Sequence, residues 1–158
     1  MTQPPTSFKE RLHDDLTASM RARDEVRTAT LRMALTAVTH EEVAGKEARV
    51  LTDDDVLGVL RREAKKRRES AEAYDAANRP ELADRERAEL VVLEGYLPAA
   101  MSDADLAALV TVAVDEARAG GAEGPRAMGA VMKLVTPRVD GRAEGGRVAA
   151  EVRRQLNV

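Results

Sequence analysis

The chain has no cysteine and no tryptophan, and its aromatic residues are limited to Phe8, Tyr74 and Tyr96. Without cysteine it cannot form disulfides, thiol nucleophiles, zinc–thiolate sites or iron–sulfur clusters. So few aromatic side chains also exclude the base-stacking surface on which many single-strand nucleic-acid binders rely. Any binding of nucleic acid would therefore depend on charge.

Long hydrophobic runs are also missing. No stretch of about 18 apolar residues is present, so we expect no membrane-spanning helix and no membrane partner. Residues 1–6 have neither the basic start nor the apolar stretch of a secretory signal. These absences predict a cytoplasmic protein. A length of 158 residues, 44% of them hydrophobic, suffices for one ordinary domain or two small ones.

Apolar residues recur at helical spacing along nearly the whole chain, and no sustained alternation indicates a strand. We therefore predict an all-α fold. Ser7 is placed to cap a first helix, whose apolar stripe is Phe8, Leu12, Leu16 and Met20.

The second helix carries apolar residues on two sides, which predicts a helix packed between neighbours on both sides. One stripe consists of Leu31, Ala34, Leu35 and Val38, and the other consists of Val26, Thr30, Met33 and Ala37.

A long third helix is predicted to start after Thr52, because a hydroxyl cap and the aspartates that follow suit the positive end of a helix. Asn78 and Pro80 should end it. Residues 1–98 are thus expected to form an N-terminal helical hairpin bundle. A fourth helix is predicted at 81–97, with an inner face of Leu82, Leu90, Leu93 and Leu97.

Residues 99–158 contain signals for three further helices and are expected to form a small C-terminal three-helix bundle. Ser102 is placed to cap the first helix, and Gly124 and Pro125 to begin the second. Pro137 is expected to stop the second helix, because proline cannot donate the backbone hydrogen bond that continues it.

Six of the eight residues from 61 to 68 are basic, although the whole chain has a net charge of −3. On a helix, Arg61, Lys65 and Arg68 share one face. The segment predicts either a phosphate-binding surface or a solvated face neutralised by carboxylates of its own and the following helix, with equal weight. Arg67 falls nearer the apolar side, so its guanidinium must reach solvent or a carboxylate on a neighbouring helix.

A second basic region lies near the C-terminus, where seven basic residues between 124 and 158 oppose three acidic ones. Gly141, Gly145 and Gly146 lead into the last helix. Exposed amides at a helix start can bind phosphate, but glycines before a helix also mark a tight turn. The sequence therefore nominates ten residues for nucleic-acid contact: Arg61, Arg62, Lys65, Lys66, Arg68, Arg126, Lys133, Arg138, Arg142 and Arg147.

The two histidines, His13 and His40, are each followed by two acidic residues. Neighbouring residues of a helix point about 100° apart, so these side chains cannot converge on a metal ion. Ser102 is explained by capping, and no serine lies in a nucleophile turn. We therefore predict no catalytic residue, no metal site and no cofactor.

Five segments stand out in chain order: Leu31-Arg32-Met33, Arg62-Glu63-Ala64-Lys65-Lys66-Arg67-Arg68-Glu69-Ser70, Glu94-Gly95-Tyr96-Leu97-Pro98, Met128-Gly129-Ala130-Val131-Met132 and Gly141-Arg142-Ala143-Glu144-Gly145. Together they resemble the GatB/YqeY family over nearly the whole chain. The resemblance implies kinship with the helical tail of the B subunit of the glutamine-dependent amidotransferase that converts mischarged glutamyl-tRNA or aspartyl-tRNA. That tail is linked to tRNA recognition. Glu144 departs from the family's pattern, in which an aspartate is expected.

Three functions follow from these observations. The first is a non-catalytic accessory module that binds tRNA through basic helix faces. The second is an adaptor that docks on a larger protein through Met128, Met132 and neighbouring apolar residues, although methionines at this spacing are more often core. The third, implied by the resemblance, is a component of a carbon–nitrogen ligase with glutamine as amido donor, which would need partner subunits.

Overall fold

The computed structural model describes residues 7–158, and every regular element among them is a helix, so the all-α prediction is confirmed. The helices are α1 (Phe8–Ala22), α2 (Glu25–Val43), α3 (Asp53–Ala76), α4 (Pro80–Glu94), α5 (Asp103–Ala119), α6 (Pro125–Val139) and α7 (Gly145–Leu156). Residues 1–6, which entered the argument about a secretory signal, lie outside the described part.

The chain forms two compact units that divide between Leu97 and Pro98, which we call the N-terminal unit and the C-terminal unit. The first contains α1 to α4 and the second α5 to α7. None of the helices formed by residues 7–158 has the length and apolar character needed to span a membrane.

Side chains at helix starts explain where three of the helices begin. The Ser7 hydroxyl accepts a hydrogen bond from the Glu10 amide, and the Glu10 carboxylate accepts one from the Ser7 amide, which forms a capping box on α1. Thr52 and Asp55 form the same box on α3. Ser102 caps α5 as predicted.

The four helices of the N-terminal unit pack around one aliphatic core. The first predicted stripe of α2, from Leu31 to Val38, is buried in it. The second stripe is divided: Thr30 is buried and Ala37 packs against the core, whereas Val26 is 41% exposed and Met33 is 50% exposed. The prediction that α2 is packed between neighbours therefore holds in part: α1, α3 and α4 all contact α2, but they leave Val26 and Met33 open.

The contact face of α4 agrees in part with the predicted one, since Leu93 is buried and Leu90 and Leu97 pack against the core. Its buried residues are Ala83, Glu89 and Leu93, whereas Leu82 and Leu90 are only half-buried. The face is shifted because α4 approaches α3 with the small side chain of Ala83 and with the carboxylate of Glu89, which meets the buried Arg67.

Tyr96, just beyond α4, connects that end of the unit to α1 and α2. Its hydroxyl donates to Asp15 at 2.5 Å and accepts from Arg27 at 2.8 Å. The Phe8 ring stands edge-on to it with centroids 6.0 Å apart, and the Arg11 guanidinium lies 5.2 Å from its centroid. Burial and the hydrogen bond to Asp15 raise the pKa of Tyr96 to about 12.

The C-terminal unit has a separate core built by α5, α6 and α7. Met128 and Met132 are half-buried and pack against this core, so they contribute to packing more than to an open surface. The fully buried members of the core, each less than 3% exposed, are Leu106, Val110, Ala113, Val131, Val135 and Val152.

Pro137 lies inside α6, so the prediction that it ends this helix is wrong. Its ring holds φ near the helical value, and the only backbone hydrogen bond lost is the one to the carbonyl of Lys133, close to the helix end. The helix ends instead at Val139. Asp140 follows in the left-handed conformation, and its amide donates to the Thr136 carbonyl.

Candidate nucleic-acid interface

The basic segment of α3 faces carboxylates from two other helices. Arg62 pairs with Glu41 of α2 at 2.9 Å, and Arg68 pairs with Glu94 of α4 at 3.1 Å. Both pairs join residues more than 20 positions apart in the chain. The fold therefore brings acidic groups to cations that stand in a nearly uninterrupted basic run in the sequence.

Two more cations of the segment pair within α3. Lys66 lies 3.0 Å from Glu63, and Lys65 lies 3.8 Å from Glu69. Arg61 is half-buried and also has an interaction partner. Exposed pairs of this kind add little to stability, but they reduce the field that a phosphate would experience. The geometry thus favours the neutralised interpretation for Arg62, Lys65, Lys66 and Arg68, which all have carboxylate partners.

Arg67 lies in the interior of the N-terminal unit, where its side chain is only 3% exposed. Its guanidinium lies 2.5 Å from Glu63 and 3.4 Å from Glu89 of α4, so the expectation of a carboxylate on a neighbouring helix is confirmed. Burial alone would raise the pKa of Glu63, but hydrogen bonds from Lys66 and Arg67 outweigh it and hold the pKa below its ordinary value. This network fastens α3 to α4.

In the C-terminal unit, α5 supplies carboxylates to arginines of the basic region between residues 124 and 158. Glu116 accepts a hydrogen bond from Arg138 at 2.6 Å, which raises the pKa of that guanidinium. Asp103 lies 2.7 Å from Arg147. The excess of basic residues between 124 and 158 is therefore partly balanced by acidic residues earlier in the chain.

Arg142 and Arg147 belong to a joint that we call the clasp, formed with Met101 and Asp103. The Arg142 guanidinium donates to the carbonyls of Val139 and Arg138 at the end of α6. The Met101 amide donates to the Arg142 carbonyl at 2.8 Å, and Arg147 donates to the Met101 carbonyl at 2.9 Å. The clasp binds the start of α5 to the loop between α6 and α7, so both arginines are engaged in structure.

The three glycines that lead into α7 have two interpretations, a tight turn or exposed amides that bind phosphate, and they do not all fit the same one. Gly141 has φ of +70°, which a tight turn requires and which other residues rarely adopt. Gly145 and Gly146 form the first turn of α7, are exposed, and would meet nothing within 4 Å if they carried a Cβ. Glu144 occupies the N-cap position without a side-chain cap hydrogen bond.

Two of the ten nominated residues differ from the others. Arg126 and Lys133 are exposed on α6, and no carboxylate of residues 7–158 lies within ion-pair distance of either. They stand two turns apart on one side of the helix, together with exposed Gly129 and Thr136. We call this set the α6 strip. α6 contains three basic residues and no acidic one.

Sequence reasoning did not nominate Arg153, which is exposed on α7 and has no carboxylate partner in the described part of the chain. Its neighbour Arg154 pairs with Glu151 at 2.6 Å. Hydrogen bonds from Arg154 and Gln155 lower the pKa of Glu151 to about 2. Glu151 and Arg154 are three residues apart, a spacing at which side chains meet on a helix. This spacing is the sequence signal that, among residues 7–158, Arg154 is paired and Arg153 is not.

Metal chemistry finds no support in this arrangement. His13 and His40 are both exposed on their helices. Within residues 7–158, no group of three histidine, aspartate or glutamate side chains is arranged to hold a metal ion.

Comparison with known proteins identifies the family of this chain. The family model for Yqey-like proteins matches residues 9–156. A protein of the fungus Pyrenophora tritici-repentis named altered inheritance of mitochondria protein 41, mitochondrial, is 31% identical over 144 residues, which are 89% of this chain and 75% of that protein. An uncharacterized protein of Schizosaccharomyces pombe is 34% identical over 80 residues, 51% of this chain and 63% of that protein. Since the family match spans nearly every residue from α1 to α7, this chain belongs to the YqeY-like protein family.

Proposed function

We propose that this protein is a non-catalytic accessory module that binds the phosphate backbone of structured RNA, tRNA in the first instance, through the α6 strip. The observation that carries the proposal is the charge of α6. It has three cations and no anion, and Arg126 and Lys133 have no carboxylate partner among residues 7–158. The resemblance to the tRNA amidotransferase tail supports tRNA as the first RNA to test.

The α6 strip contains residues that do not suit an isolated helix. Arg126 places a positive charge in the first turn, where the helix macrodipole disfavours it by about 0.3–1 kcal/mol. Gly129 costs about 1 kcal/mol relative to alanine, although an added Cβ there would meet nothing within 4 Å. Residues that destabilise their own helix without improving its packing are typical of functional sites.

A bound polyanion would explain why these residues are present in α6. Phosphates would pair with Arg126 and Lys133, which are about 10 Å apart along the helix axis. Gly129 between them would let a sugar–phosphate backbone approach closely. The N-terminus of α6 has no side-chain cap, so its amides add to the positive potential at the same end. Few aromatic residues are available for stacking, so recognition would follow the shape of a folded RNA.

The test is binding of purified protein to total tRNA over a series of salt concentrations. Arg126→Gln with Lys133→Gln should weaken binding and reduce the slope of log K against log salt by roughly 1.4 to 1.8, which corresponds to two lost phosphate contacts. A control of equal charge change is Arg21→Gln with Lys46→Gln, two exposed cations of the N-terminal unit. If wild-type protein shows no binding even at low salt, or if both double variants behave alike, the proposal is wrong.

The α3 segment gives an internal comparison. Lys65→Gln with Lys66→Gln removes two cations that have carboxylate partners, so we expect a smaller loss of RNA affinity than from the strip variant. Substitutions at Arg142 or Arg147 are unsuitable for this test, because they disturb the clasp.

The cytoplasmic location stays a prediction. The mitochondrial name of the Pyrenophora relative makes the mitochondrion a second location to test.

A further inference from the structure

The open side of α2 is an apolar surface in the N-terminal unit that the proposed RNA contact does not use. Val26 and Met33 of α2 are 41% and 50% exposed, and Met20 at the end of α1 is 43% exposed. Ala29 lies between them, half-buried and small. Methionine side chains adapt readily to a partner surface, so this side of α2 is suited to contact with another helix.

Two opposite charges lie on the same side of α2. Glu25 and Arg32 are seven residues apart, which places them in line and about 10 Å apart along the helix axis. Neither of them has an ion-pair partner within 4.0 Å among residues 7–158, although Arg23 and Asp24 line the same surface cleft. Arg32 donates instead to the Met20 sulfur at 3.2 Å, a weak acceptor that a carboxylate would replace favourably.

We propose that this surface, which comprises Met20, Glu25, Val26, Ala29, Arg32 and Met33, binds the same surface of a second copy of this chain in an antiparallel arrangement. An isologous contact requires a self-complementary patch. Here a two-fold axis beside Ala29 places Arg32 of each copy opposite Glu25 of the other. The small Ala29 side chains at the axis allow the two helices to approach closely, and the methionines close over the contact from both sides.

Charge reversal tests this arrangement in a way that folding defects cannot imitate. Sedimentation velocity over a concentration series should show wild-type protein moving from the monomer mass of 17.1 kDa towards twice that mass. Arg32→Glu alone places acidic residues at both positions, and Glu25→Arg alone places basic residues at both. Each variant should therefore stay monomeric where wild-type protein is dimeric.

An equimolar mixture of the two variants should dimerise again, because each copy then meets a surface of opposite charge. Arg118→Glu, the same charge change at an exposed position in the C-terminal unit, should dimerise like wild type. The proposal is overturned if wild-type protein remains monomeric at its highest soluble concentration. It is equally overturned if a dimer forms that neither charge reversal weakens, or if the mixture stays monomeric.

Discussion

Arg67 and Arg126 show how neighbouring residues decide what an arginine does. Both lie on helices with a basic surface. Arg67 is buried and held by Glu63 and Glu89, so it contributes to the packing of α3 on α4. Its Nε atom has no hydrogen-bond partner among the described residues, which makes this a buried ion network that is not fully satisfied. Arg126 is exposed and lacks a carboxylate neighbour, so its charge is available to a ligand.

Tyr96 gives a prediction at the same scale. The Tyr96→Phe variant should lose about 2 kcal/mol of unfolding free energy at pH 8, because Asp15 loses a hydrogen-bond donor and Arg27 an acceptor. The folded-state pKa of Tyr96 is raised to about 12, so its contribution is complete below the ordinary value near 10 and declines as pH rises towards 12. Urea unfolding of both proteins at several pH values measures the difference.

The difference in unfolding free energy between wild type and Tyr96→Phe should therefore shrink between pH 10 and pH 12. Comparing the two proteins cancels the titration of other groups. A difference that stays constant over this range would contradict the raised folded-state pKa of Tyr96.

At the scale of the element, the loop between α6 and α7 is held by Arg142 and Arg147, two residues that the sequence predicts as nucleic-acid contacts. Arg142 occupies carbonyls at the end of α6, and Arg147 joins Met101 and Asp103 at the start of α5. The three helices of the C-terminal unit thus meet at the clasp. Their short lengths leave little core to compensate if the clasp fails.

We expect Arg147→Ala to destabilise the C-terminal unit by about 1–3 kcal/mol, because it removes a charge-assisted pair and leaves the Met101 carbonyl without its donor. Thermal unfolding followed by circular dichroism, with amide hydrogen exchange to locate the loss, is the measurement. Arg153→Ala on the same helix lacks such contacts and serves as the matched control. Equal stability of the two variants would show that the clasp contributes nothing.

At the scale of the whole molecule, the chain consists of two units that each have a core of their own. The core of the N-terminal unit is contributed by four helices together with Leu51 and Tyr96. The core of the C-terminal unit is made mainly of valine, alanine and leucine from three helices. We therefore propose that the boundary near residue 98 separates two folding domains.

A fragment of residues 1–97 should be helical and unfold cooperatively on its own, because the whole core of the N-terminal unit is retained. The fragment 98–158 should be the less stable of the two, since a chain of about 60 residues buries a smaller fraction of its surface. Circular dichroism melts of both fragments are the measurement. An unfolded N-terminal fragment would contradict the domain assignment.

The parts of this fold that the sequence predicts are the local ones. Ser7, Thr52 and Ser102 cap their helices as expected, because a cap depends on residues within one turn. The positions of the helices follow from apolar periodicity for the same reason. Pro137 was misjudged because proline close to a helix end removes a single hydrogen bond, a loss that a packed helix tolerates.

The candidate site was harder to predict from the sequence than the helices were. Residue type and spacing marked ten basic positions, but eight of them have structural partners: Arg62 meets Glu41, Arg138 meets Glu116, and the others meet carboxylates, backbone carbonyls or further contacts. Only Arg126 and Lys133 stand apart within the described residues. An ion pair between distant helices has no signature in the local sequence, because it depends on which faces the fold brings together.

The sequence by itself determined the family, the helical class, the helix starts and the absence of thiol chemistry, since each depends on composition or on residues close in the chain. The tertiary structure alone decided which apolar residues of α2 are buried, which arginines are paired and which surface remains open. Helical periodicity shows that a face is apolar or charged. Only the packing of the other helices decides whether that face meets a core, a carboxylate or water.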